Sequence, residues 1–306
     1  MVALRRDQVT PMRVLILGGA GMLGHKLTQR LRERFDVWVT LRRPVASYGG
    51  YGMFDPARTV DGVDVANVDS LVDAVRRARP AVIVNAIGIV KQLAAAHDPM
   101  TSISINALLP HRLAALGAAA GARVIHVSTD CVFSGRKGGY TEDDPSDAED
   151  LYGRSKYLGE IGGDNSLTLR TSVIGRELSG ATGLVEWFLK NRDGAVKGFT
   201  RAVYSGVTTE AFAAALSTVM TEHPHLSGVY QLASTPITKY ELLCLLRDGY
   251  GTTTSIAPEP EPVIDRSLNG ARFRAATGYV APPWPEMIAA LASDPTPYDT
   301  WRSSNA

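Results

Sequence analysis

The chain has 306 residues, of which 45% are hydrophobic and 21% are charged, and its formal net charge at pH 7 is +1. This length is enough for one or two domains with a substantial core. The near-neutral balance, with both signs mixed along the chain, gives no electrostatic basis for binding nucleic acid or an anionic membrane. The only two cysteines, Cys131 and Cys244, lie far apart, which predicts a reducing compartment, the cytoplasm, rather than a disulfide framework.

Membrane, export and metal-binding signals are not indicated. The sequence has no run of about 18 apolar residues, so no membrane span is expected. Its start lacks the apolar core of a secretory signal, and residues 1–11 are predicted to be a short disordered tail. His223 and His225 form only a local pair around a proline. No cysteine or carboxylate cluster accompanies them at ligand spacing, and no metal site is predicted.

A nucleotide-binding turn is predicted near the start of the chain. Residues 12–17 are a short apolar run, typical of a buried strand, and lead directly into the glycine-rich residues 18–24. Strand, turn and helix in this order are the context that a dinucleotide-binding motif requires. There Gly18 permits a tight turn, Gly21 lets the backbone approach a pyrophosphate, and Gly24 allows close helix–strand packing. The alternative is a glycine-rich turn without a ligand.

The segment after this turn is predicted to be an amphipathic helix. Its apolar positions repeat every fourth residue, at Leu23, Leu27, Leu31 and Phe35. A helix N-terminus offers free N–H groups and a partial positive charge to phosphates. Met22 and Leu23, in the first turn, are therefore predicted to contact the dinucleotide.

The end of the second predicted strand, residues 36–40, bears on the choice of cofactor. An acidic residue there would bond the ribose 2′-hydroxyl of NAD, whereas arginine suits the 2′-phosphate of NADP. The strand is followed by Arg42 and Arg43, which favours NADPH, with NADH as the alternative. The competing interpretation is that both arginines are solvated surface residues.

Two further segments are predicted to border the cofactor. Asp64 and Val65 follow an apparent third strand and are candidates for the edge of the adenine pocket. A fourth buried strand ends at Asn85 and opens through Ala86 and Ile87 into a loop of small residues. This loop is expected to pass under the ribose and the nicotinamide.

A tyrosine and a lysine are spaced for acid–base chemistry. Tyr152 and Lys156 are four residues apart, which places them on one helix face, about 5–6 Å apart at Cβ. A free phenol has a pKa of about 10, and a neighbouring ammonium is expected to lower that pKa and make the phenol a usable proton donor. Thr129 ends a fifth strand, where ligands bind in open α/β sheets, and its hydroxyl can hold the same oxygen. Taken alone, this spacing also occurs by chance in many helices.

Together these residues resemble the extended short-chain dehydrogenase/reductase superfamily, and most of all its dTDP-4-dehydrorhamnose reductases and related nucleotide-sugar 4-ketoreductases. The resemblance is carried by the glycine turn and by five further segments: residues 85–86, 128–135, 140–144, 152–160 and 169–172. Residues 265–269 match more loosely and look like the family's C-terminal Arg-Pro-x-Asn-Ser stretch. The likeness extends from Met12 to about Trp284, and it is specific in the first half and loose in the second.

The resemblance implies an NADPH-dependent reduction of the C4 ketone of a dTDP- or UDP-linked 4-keto-6-deoxy sugar. It implies that Tyr152 protonates the developing alkoxide, that Lys156 tunes Tyr152 and binds the nicotinamide ribose, and that Thr129 orients the carbonyl. Asn106 sits where the superfamily often has a structural asparagine.

Substrate contacts are expected from two regions. The family commonly has a tyrosine near the sugar at the position of Cys131, so Asp130 and Cys131 are candidates for substrate contacts. Because a thiol is smaller than a tyrosine ring, the resemblance does not specify which sugar is bound. No His–Asn or His–Asp arrangement accompanies Cys131, which is expected to be a buried, inert thiol. Arg201 can pair a diphosphate as a bidentate fork, and Arg266 and Asn269 are candidates for contacts with the nucleotide. The alternative for each of these three is an ordinary surface residue.

Alternating strand and helix patterns to about residue 170 predict an α/β fold, a Rossmann-type doubly wound parallel sheet with helices on both faces. Residues 12–171 are predicted to form the NADP-binding domain, to which residues 203–232 return. Residues 172–202 and 233–306 are predicted to form a smaller C-terminal α/β substrate-binding domain. The expected partner is a nucleotide sugar, and a homodimer is left open.

Three functions other than reduction are known for chains that resemble this superfamily. An epimerase on the same scaffold would keep NAD bound and need no external reductant. A dehydratase usually has Asp-Glu after the threonine, and Asp130 followed by Cys131 argues against it. Some chains that resemble this family are noncatalytic regulatory subunits that bind dinucleotide without turnover. The intact Thr129, Tyr152 and Lys156 argue against that role without proving turnover.

Overall fold

The computed structural model describes residues 11–91 and 94–304, and its central element is a seven-stranded parallel sheet. The strands are β1 (Arg13–Leu17), β2 (Asp36–Thr40), β3 (Thr59–Val60), β4 (Val82–Asn85), β5 (Arg123–Thr129), β6 (Ser166–Thr171), β7 (Val173–Ile174), β8 (Ala195–Phe199), β9 (Ala202–Tyr204), β10 (Val207–Thr208), β11 (Gly228–Gln231), β12 (Ile237–Thr238), β13 (Ser255–Glu259) and β14 (Ile264–Asp265). Seven of them form the sheet in the order β3-β2-β1-β4-β5-β6-β11. The strand order reverses between β1 and β4, which is the point where doubly wound sheets bind ligands.

Helices cover both faces of this sheet, and further helices alternate with short strands in the second half of the chain. They are α1 (Met22–Leu31), α2 (Val68–Ala78), α3 (Pro99–Ser102), α4 (Leu109–Ala120), α5 (Leu151–Leu158), α6 (Leu184–Lys190), α7 (Thr209–Glu222), α8 (Lys239–Tyr250), α9 (Ala271–Thr277), α10 (Trp284–Ala292) and α11 (Tyr298–Ser304). A π-helical segment, Ile103–Leu108, joins α3 to α4 without a break. In the described part of the chain, none of the helices has the length and apolarity to cross a bilayer.

The predicted fold class is confirmed, and the reason lies in the alternation along the central strands. Side chains of a strand alternate between faces. Val14 and Ile16 of β1 belong to one hydrophobic cluster, and Leu15 and Leu17 to the cluster on the opposite face. Because both faces are covered, the strand is apolar at every position from Val14 to Leu17 rather than at every second one.

The second half of the chain forms smaller sheets beside the first. β9 lies between β12 and β14 in a three-stranded sheet, and β8 pairs with β13. Within the segment predicted to return to the main sheet, β11 pairs in parallel with β6, whereas β9 and β10 belong to smaller sheets. One continuous hydrophobic cluster joins the sheet to α7 through Leu216, to α8 through Leu242 and to α10 through Ile288. The division of the chain into two domains at the stated boundaries stays a prediction.

The C-terminal segment is anchored on α1 by buried polar groups. His25 Nε2 lies 2.7 Å from the Tyr298 hydroxyl, and the Lys26 ammonium donates to the buried Asp294 carboxylate. Burial lowers the pKa of His25 to about 4, so this imidazole is neutral at pH 7. Helix α1, which belongs to the predicted nucleotide motif, is therefore held in place by contacts with the C-terminal segment.

A buried ion pair ties the end of α5 to β6. Arg170 donates to both carboxylate oxygens of Glu160, at 2.8 and 2.7 Å, and Ser128 donates to the same carboxylate at 2.7 Å. Each side chain of the ion pair is only 5% exposed. The pair thus holds the helix that carries Tyr152 and Lys156 against the sheet.

We expect Glu160→Gln to lower the free energy of unfolding by about 3–5 kcal/mol, because it leaves the Arg170 guanidinium buried without its counter-charge. Denaturant titration measures this loss. Asp73→Asn is the control, since the Asp73–Arg76 pair is 47% and 73% exposed and an exposed pair contributes about 1 kcal/mol at most. Equal, small losses in both variants would show that the buried pair does not hold the helix.

Candidate active site

A cavity of about 570 Å³ lies at the C-terminal ends of β1, β4 and β5. One side is formed by the start of α1, the loop after β4, the end of β5 and the start of α5. The other side comes from the second half of the chain. Its contributions are residues 171–174, 182–184 and 202–204, together with Glu177, Lys239, Ile264 and Arg266. The cavity therefore lies where the two halves of the chain meet, at the predicted edge of the sheet.

The start of α1 opens into this cavity in a form that fits an anion. Gly21, Met22 and Leu23 line the cavity, the N-cap position Gly21 makes no side-chain cap, and the first turn contains no acidic residue. A Cβ at Gly24 would lie 2.0 Å from the Gly18 carbonyl oxygen, so the turn can pack this closely only with glycine. Free helical N–H groups and the helix dipole suit the pyrophosphate of a dinucleotide.

The loop after β4 forms the next part of the wall. Ala86 and Ile87 line the cavity, whereas Asn85 does not. Asn85 is fully buried beneath the loop. Its Oδ1 accepts from the Ile87 N–H at 3.1 Å, and its Nδ2 lies 3.1 Å from His126 Nδ1. Asn85 thus supports the loop from below.

Asn106 holds the same loop from the other side. It lies in the π-helical segment and is buried. Its Oδ1 accepts from the Ile89 N–H at 2.9 Å, and its Nδ2 donates to the Ile89 carbonyl at 3.1 Å. A widened helical turn at a functional site is a recurrent feature, and here it lets one amide side chain satisfy both backbone groups of a loop residue.

Helix α5 approaches the end of β5 closely, which brings the candidate catalytic groups together. Asp150 caps the helix by accepting from the Gly153 N–H at 2.7 Å. A Cβ at Gly153 would lie 2.2 Å from the Cys131 carbonyl oxygen, so a larger residue would push the helix away. As a result Thr129, Tyr152 and Lys156 all line the same cavity.

Lys156 is buried beneath Tyr152 and is held by the backbone of β5. Its Nζ donates to the Val127 carbonyl oxygen at 2.7 Å and lies 3.3 Å from His126 Nε2. Burial lowers the pKa of Lys156 to about 8, against the opposing influence of Glu160. The amine therefore titrates near physiological pH.

Burial outweighs the predicted lowering of the Tyr152 pKa by Lys156. Burial, and then the neighbouring Cys131, raise the pKa of the Tyr152 phenol above its ordinary value, while its side-chain hydrogen bond with Thr129 acts in the opposite direction. The phenol is consequently protonated at neutral pH, the form that can donate a proton.

Thr129 is oriented by its immediate neighbours. Its hydroxyl donates to Asp130 Oδ1 at 3.0 Å and accepts from the Cys131 N–H at 3.1 Å. Burial raises the pKa of Asp130, while Arg266 and other neighbours act to lower it. Burial likewise raises the pKa of the Cys131 thiol to about 12, so it is protonated and unreactive at neutral pH. Asp130, Cys131 and Arg266 all line the cavity.

Other residues of the cavity were missed in the sequence. Tyr204 lines it, and its buried hydroxyl has no hydrogen-bond partner among the described residues. Lys239 lines it too, at the first position of α8. Arg201 was predicted from the same segment because its charge suits a diphosphate. The polar residue of this segment that lines the cavity is Tyr204, three positions further on. Lys239 follows the N-cap Thr238, and this position identifies a helix start but not what it faces.

Several predicted contacts lie outside this cavity. Arg201 is exposed, in the turn before β9, because that turn directs it to solvent. Asn269 lines a separate cavity of about 370 Å³, and its Oδ1 accepts from the Ala271 N–H at 3.0 Å at the start of α9. Neither side chain is placed to contact a ligand in the larger cavity together with Tyr152.

The predicted adenosine contacts lie at the outer edge of the sheet. Arg42 and Arg43 are exposed after β2, and the Arg43 guanidinium lies 5.5 Å from the centre of the Tyr48 ring. Asp64 is exposed and accepts from the Ala66 N–H at 3.0 Å, and Val65 is half-buried. None of the four lines the 570 Å³ cavity, and their roles in cofactor binding stay predictions.

No group of three or more His, Cys, Asp or Glu side chains is arranged to hold a metal ion within residues 11–91 and 94–304.

The glycine turn, the open start of α1 and the grouping of Thr129, Tyr152 and Lys156 around one cavity define an extended short-chain dehydrogenase/reductase. Within that superfamily the match is more specific. The chain belongs to the RmlD substrate binding domain family, whose model matches residues 12–291.

Curated relatives include proteins of three kinds. The spore coat polysaccharide biosynthesis protein SpsK of Bacillus subtilis is 27% identical over 252 residues, 80% of this chain and 81% of SpsK. The dTDP-4-dehydrorhamnose reductase of Burkholderia thailandensis is 32% identical over 168 residues, 53% of this chain and 50% of the relative. The methionine adenosyltransferase 2 subunit beta of Xenopus laevis is 26% identical over 290 residues, 88% of this chain and 83% of the relative. The chain thus spans about half the length of the reductase that it matches.

Solved structures agree on the fold. The dTDP-4-dehydrorhamnose reductase of Bacillus anthracis, determined in complex with NADP, superposes with a TM-score of 0.77 at 20% identity, over 92% of this chain and 98% of the other. The resemblance noted in the sequence is confirmed.

We expect Gly24→Ala to weaken dinucleotide binding by about 5- to 150-fold, because its Cβ would overlap the Gly18 carbonyl oxygen at a cost of about 1–3 kcal/mol. Titration of NADPH fluorescence measures the dissociation constant. Gly50→Ala is the matched control, since a Cβ there meets nothing within 4 Å. Unchanged binding in the Gly24 variant would contradict the assignment of this turn.

Proposed function

We propose that the protein reduces the C4 ketone of a dTDP- or UDP-linked 4-keto-6-deoxy sugar with NADPH, in deoxysugar or polysaccharide biosynthesis. The observation that carries this proposal is the single cavity that contains both the open start of α1 and the Thr129, Tyr152 and Lys156 side chains. The predicted class of enzyme, a nucleotide-sugar reductase, is supported by relatives named dTDP-4-dehydrorhamnose reductase and dTDP-4,6-dihydroxy-2-methyloxan-3-one 4-ketoreductase. A cytoplasmic location and a homodimer stay predictions.

A nicotinamide dinucleotide fits the first half of the cavity. The start of α1 would hold the pyrophosphate, and Ala86 and Ile87 would border the ribose and the nicotinamide. When bound, the reduced nicotinamide supplies hydride to the ketone carbon. Arg42 and Arg43 are the candidates for a 2′-phosphate, and they are the reason to propose NADPH rather than NADH.

The chain itself supplies the proton and the orientation. Tyr152 is protonated at neutral pH because burial raises its pKa, and it donates its proton to the carbonyl oxygen as negative charge develops there. The Thr129 hydroxyl, already held by Asp130, orients the same oxygen. Lys156, one turn further along α5, lines the same cavity and would supply positive charge at the ribose.

The second half of the cavity fits a nucleotide sugar. Lys239 and Arg266 line it, and Arg266 Nε donates to the Phe133 carbonyl oxygen at 2.9 Å. Two cations of this kind suit a diphosphate. Asp130, Cys131 and the Tyr204 hydroxyl provide polar groups for the sugar. Cys131 is smaller than the tyrosine common at this position, which makes room for a different substituent.

A second function is favoured by one of the relatives. The match to the methionine adenosyltransferase 2 subunit beta covers 88% of the chain, and that relative is named as a subunit of another enzyme. A chain with this role would bind a dinucleotide and a partner protein without turnover. Co-purification of a stoichiometric partner enzyme, together with no NADPH oxidation on any substrate of the panel below, would favour the subunit role.

The direct test is a panel of dTDP- and UDP-linked 4-keto-6-deoxy sugars with purified protein, followed by loss of NADPH absorbance. Stoichiometric oxidation of NADPH with appearance of the 4-hydroxy sugar supports the proposal. Conversion of a 4-hydroxy nucleotide sugar to its epimer without added reductant would identify an epimerase instead.

We expect Tyr152→Phe to lower turnover by about 10²- to 10⁴-fold, because the variant has no proton to donate to the carbonyl oxygen. Binding of NADPH should be nearly unchanged, since the ring is retained. Steady-state kinetics and fluorescence titration separate the two effects. Tyr157→Phe, on the same helix but 44% exposed, is the control. Full turnover in the Tyr152 variant would remove this residue as the acid.

We expect replacement of both Arg42 and Arg43 by alanine to weaken NADPH binding by about tenfold or more, because charge-assisted bonds to the 2′-phosphate are lost. Binding of NADH, which lacks this phosphate, should change little. The exposed Arg76→Ala is the control for a general loss of positive charge. Equal losses for both coenzymes would show that this arginine pair does not read the phosphate.

A further inference from the structure

The hydroxyl of Tyr204 is buried at the wall of the cavity without a hydrogen-bond partner. Tyr204 belongs to β9, lines the 570 Å³ cavity and is only 5% exposed. Its hydroxyl bonds to none of the described residues. A buried phenol usually has a partner, and a buried donor without one costs free energy. At the wall of a binding cavity, the missing partner is expected to come from the ligand.

The ring of Tyr204 is already fixed in position in the free protein. It makes an edge contact with the Trp284 ring, with 5.6 Å between the ring centres, and Trp284 Nε1 donates to the Thr235 carbonyl at 2.8 Å. The backbone of Tyr204 pairs with that of Ile237 in the neighbouring antiparallel strand β12. A hydrogen bond to this hydroxyl therefore requires little reordering when a ligand binds.

Asp130 faces the same part of the cavity as Tyr204. It also lines the cavity and is 7% exposed. Burial raises the pKa of Tyr204 well above its ordinary value, and the charge of Asp130 adds to the increase, so the phenol keeps its proton and can donate. A carboxyl group has an acceptor oxygen in either protonation state. A hydroxyl of the ligand could accept from Tyr204 and donate to Asp130 at the same time.

The other charged groups at this end of the cavity favour a neutral ligand group over a cation. Lys239 and Arg266 line the cavity, and both act on Asp130 by charge. The ammonium of an amino sugar would be placed near these two cations, and juxtaposed like charges suppress binding. A hydroxyl has no such cost.

Thr129 indicates which hydroxyl of the sugar lies here. The Thr129 hydroxyl donates to Asp130 Oδ1 at 3.0 Å, and in the proposed function Thr129 also orients the C4 carbonyl oxygen. The ring carbons beside C4 are C3 and C5, and C5 of a 6-deoxy sugar bears a methyl group. The hydroxyl next to the ketone is therefore the one on C3.

We propose that Tyr204 is a specificity-determining residue whose hydroxyl, together with the Asp130 carboxyl, binds the C3 hydroxyl of the sugar and so selects substrates that retain it. This inference rests on the proposed function, which places C4 beside Thr129. A sugar with hydrogen at C3 leaves both protein groups without a partner. Sites built to bond a hydroxyl reject the analogue that lacks it for this reason.

The selection is measurable as binding, without turnover. The full-length protein, in the presence of NADP⁺, is titrated by calorimetry with matched pairs of dTDP- and UDP-linked 6-deoxyhexoses that carry either a hydroxyl or a hydrogen at C3. We expect the hydroxyl form to bind about 5- to 150-fold more tightly in at least one nucleotide series, the equivalent of two net hydrogen bonds. Equal dissociation constants within each pair, or sugars that bind no better than the nucleoside diphosphate, would overturn the proposal.

Tyr204→Phe assigns the selection to this residue, because it keeps the ring and removes the hydroxyl. We expect the preference for the C3 hydroxyl to fall by about 3- to 10-fold, with no loss of affinity for the form that has hydrogen at C3. Tyr279→Phe is the matched control, since its hydroxyl donates to the Ala211 carbonyl at 2.9 Å and the residue lines the separate cavity. An undiminished preference in the Tyr204 variant would overturn the proposal.

Thermal unfolding of the same two variants tests whether the hydroxyl is unpaired in the free protein. We expect Tyr204→Phe to raise the melting temperature by about 2–4 °C, because it removes an unpaired buried group, whereas Tyr279→Phe should lower it. A melting temperature of the Tyr204 variant at or below that of the wild type would count against a hydroxyl reserved for the ligand. These measurements need no catalysis, so failure of the sugar panel and failure of this inference are separate results.

Discussion

The site depends on how closely α5 packs against the end of β5. The contact is made between the backbones at Gly153 and Cys131, where a single added carbon would overlap a carbonyl oxygen. This approach is what places Lys156 under the strand, with its Nζ on the Val127 carbonyl, and Tyr152 beside Thr129. The buried pair of Glu160 and Arg170 maintains the same contact at the other end of the helix.

Burial, more than pairing of charges, sets the protonation of the candidate catalytic groups. It raises the pKa of Tyr152 and lowers that of Lys156, which disfavours the charged form of each. A protonated phenol above an easily deprotonated amine is suited to giving a proton to a carbonyl. Burial of Tyr152 outweighs the expected lowering of its pKa by the adjacent Lys156.

The residues on the two sides of the cavity match the family's sequence pattern to different extents. The glycine turn and the Thr129, Tyr152 and Lys156 group match the reductase pattern, which explains why relatives and solved structures agree on the fold. Cys131, Tyr204 and Lys239 line the part of the cavity proposed to bind a sugar. In that proposal they would determine the shape and polarity of the substrate end.

Local patterns in the sequence determined the fold class, the glycine turn and the candidate catalytic residues, because strand and helix periodicity and the Tyr–Lys spacing are properties of short segments. Tertiary structure alone decided which distant residues share the cavity: Tyr204 and Lys239 enter it, whereas Arg201 and Asn269 do not. It also decided the pKa values, since these depend on burial and on partners such as Val127 and His126 that no spacing reveals. Side-chain direction and desolvation arise only when segments far apart in the chain pack together. The sequence alone therefore predicted the candidate catalytic residues but not their burial or their hydrogen-bond partners.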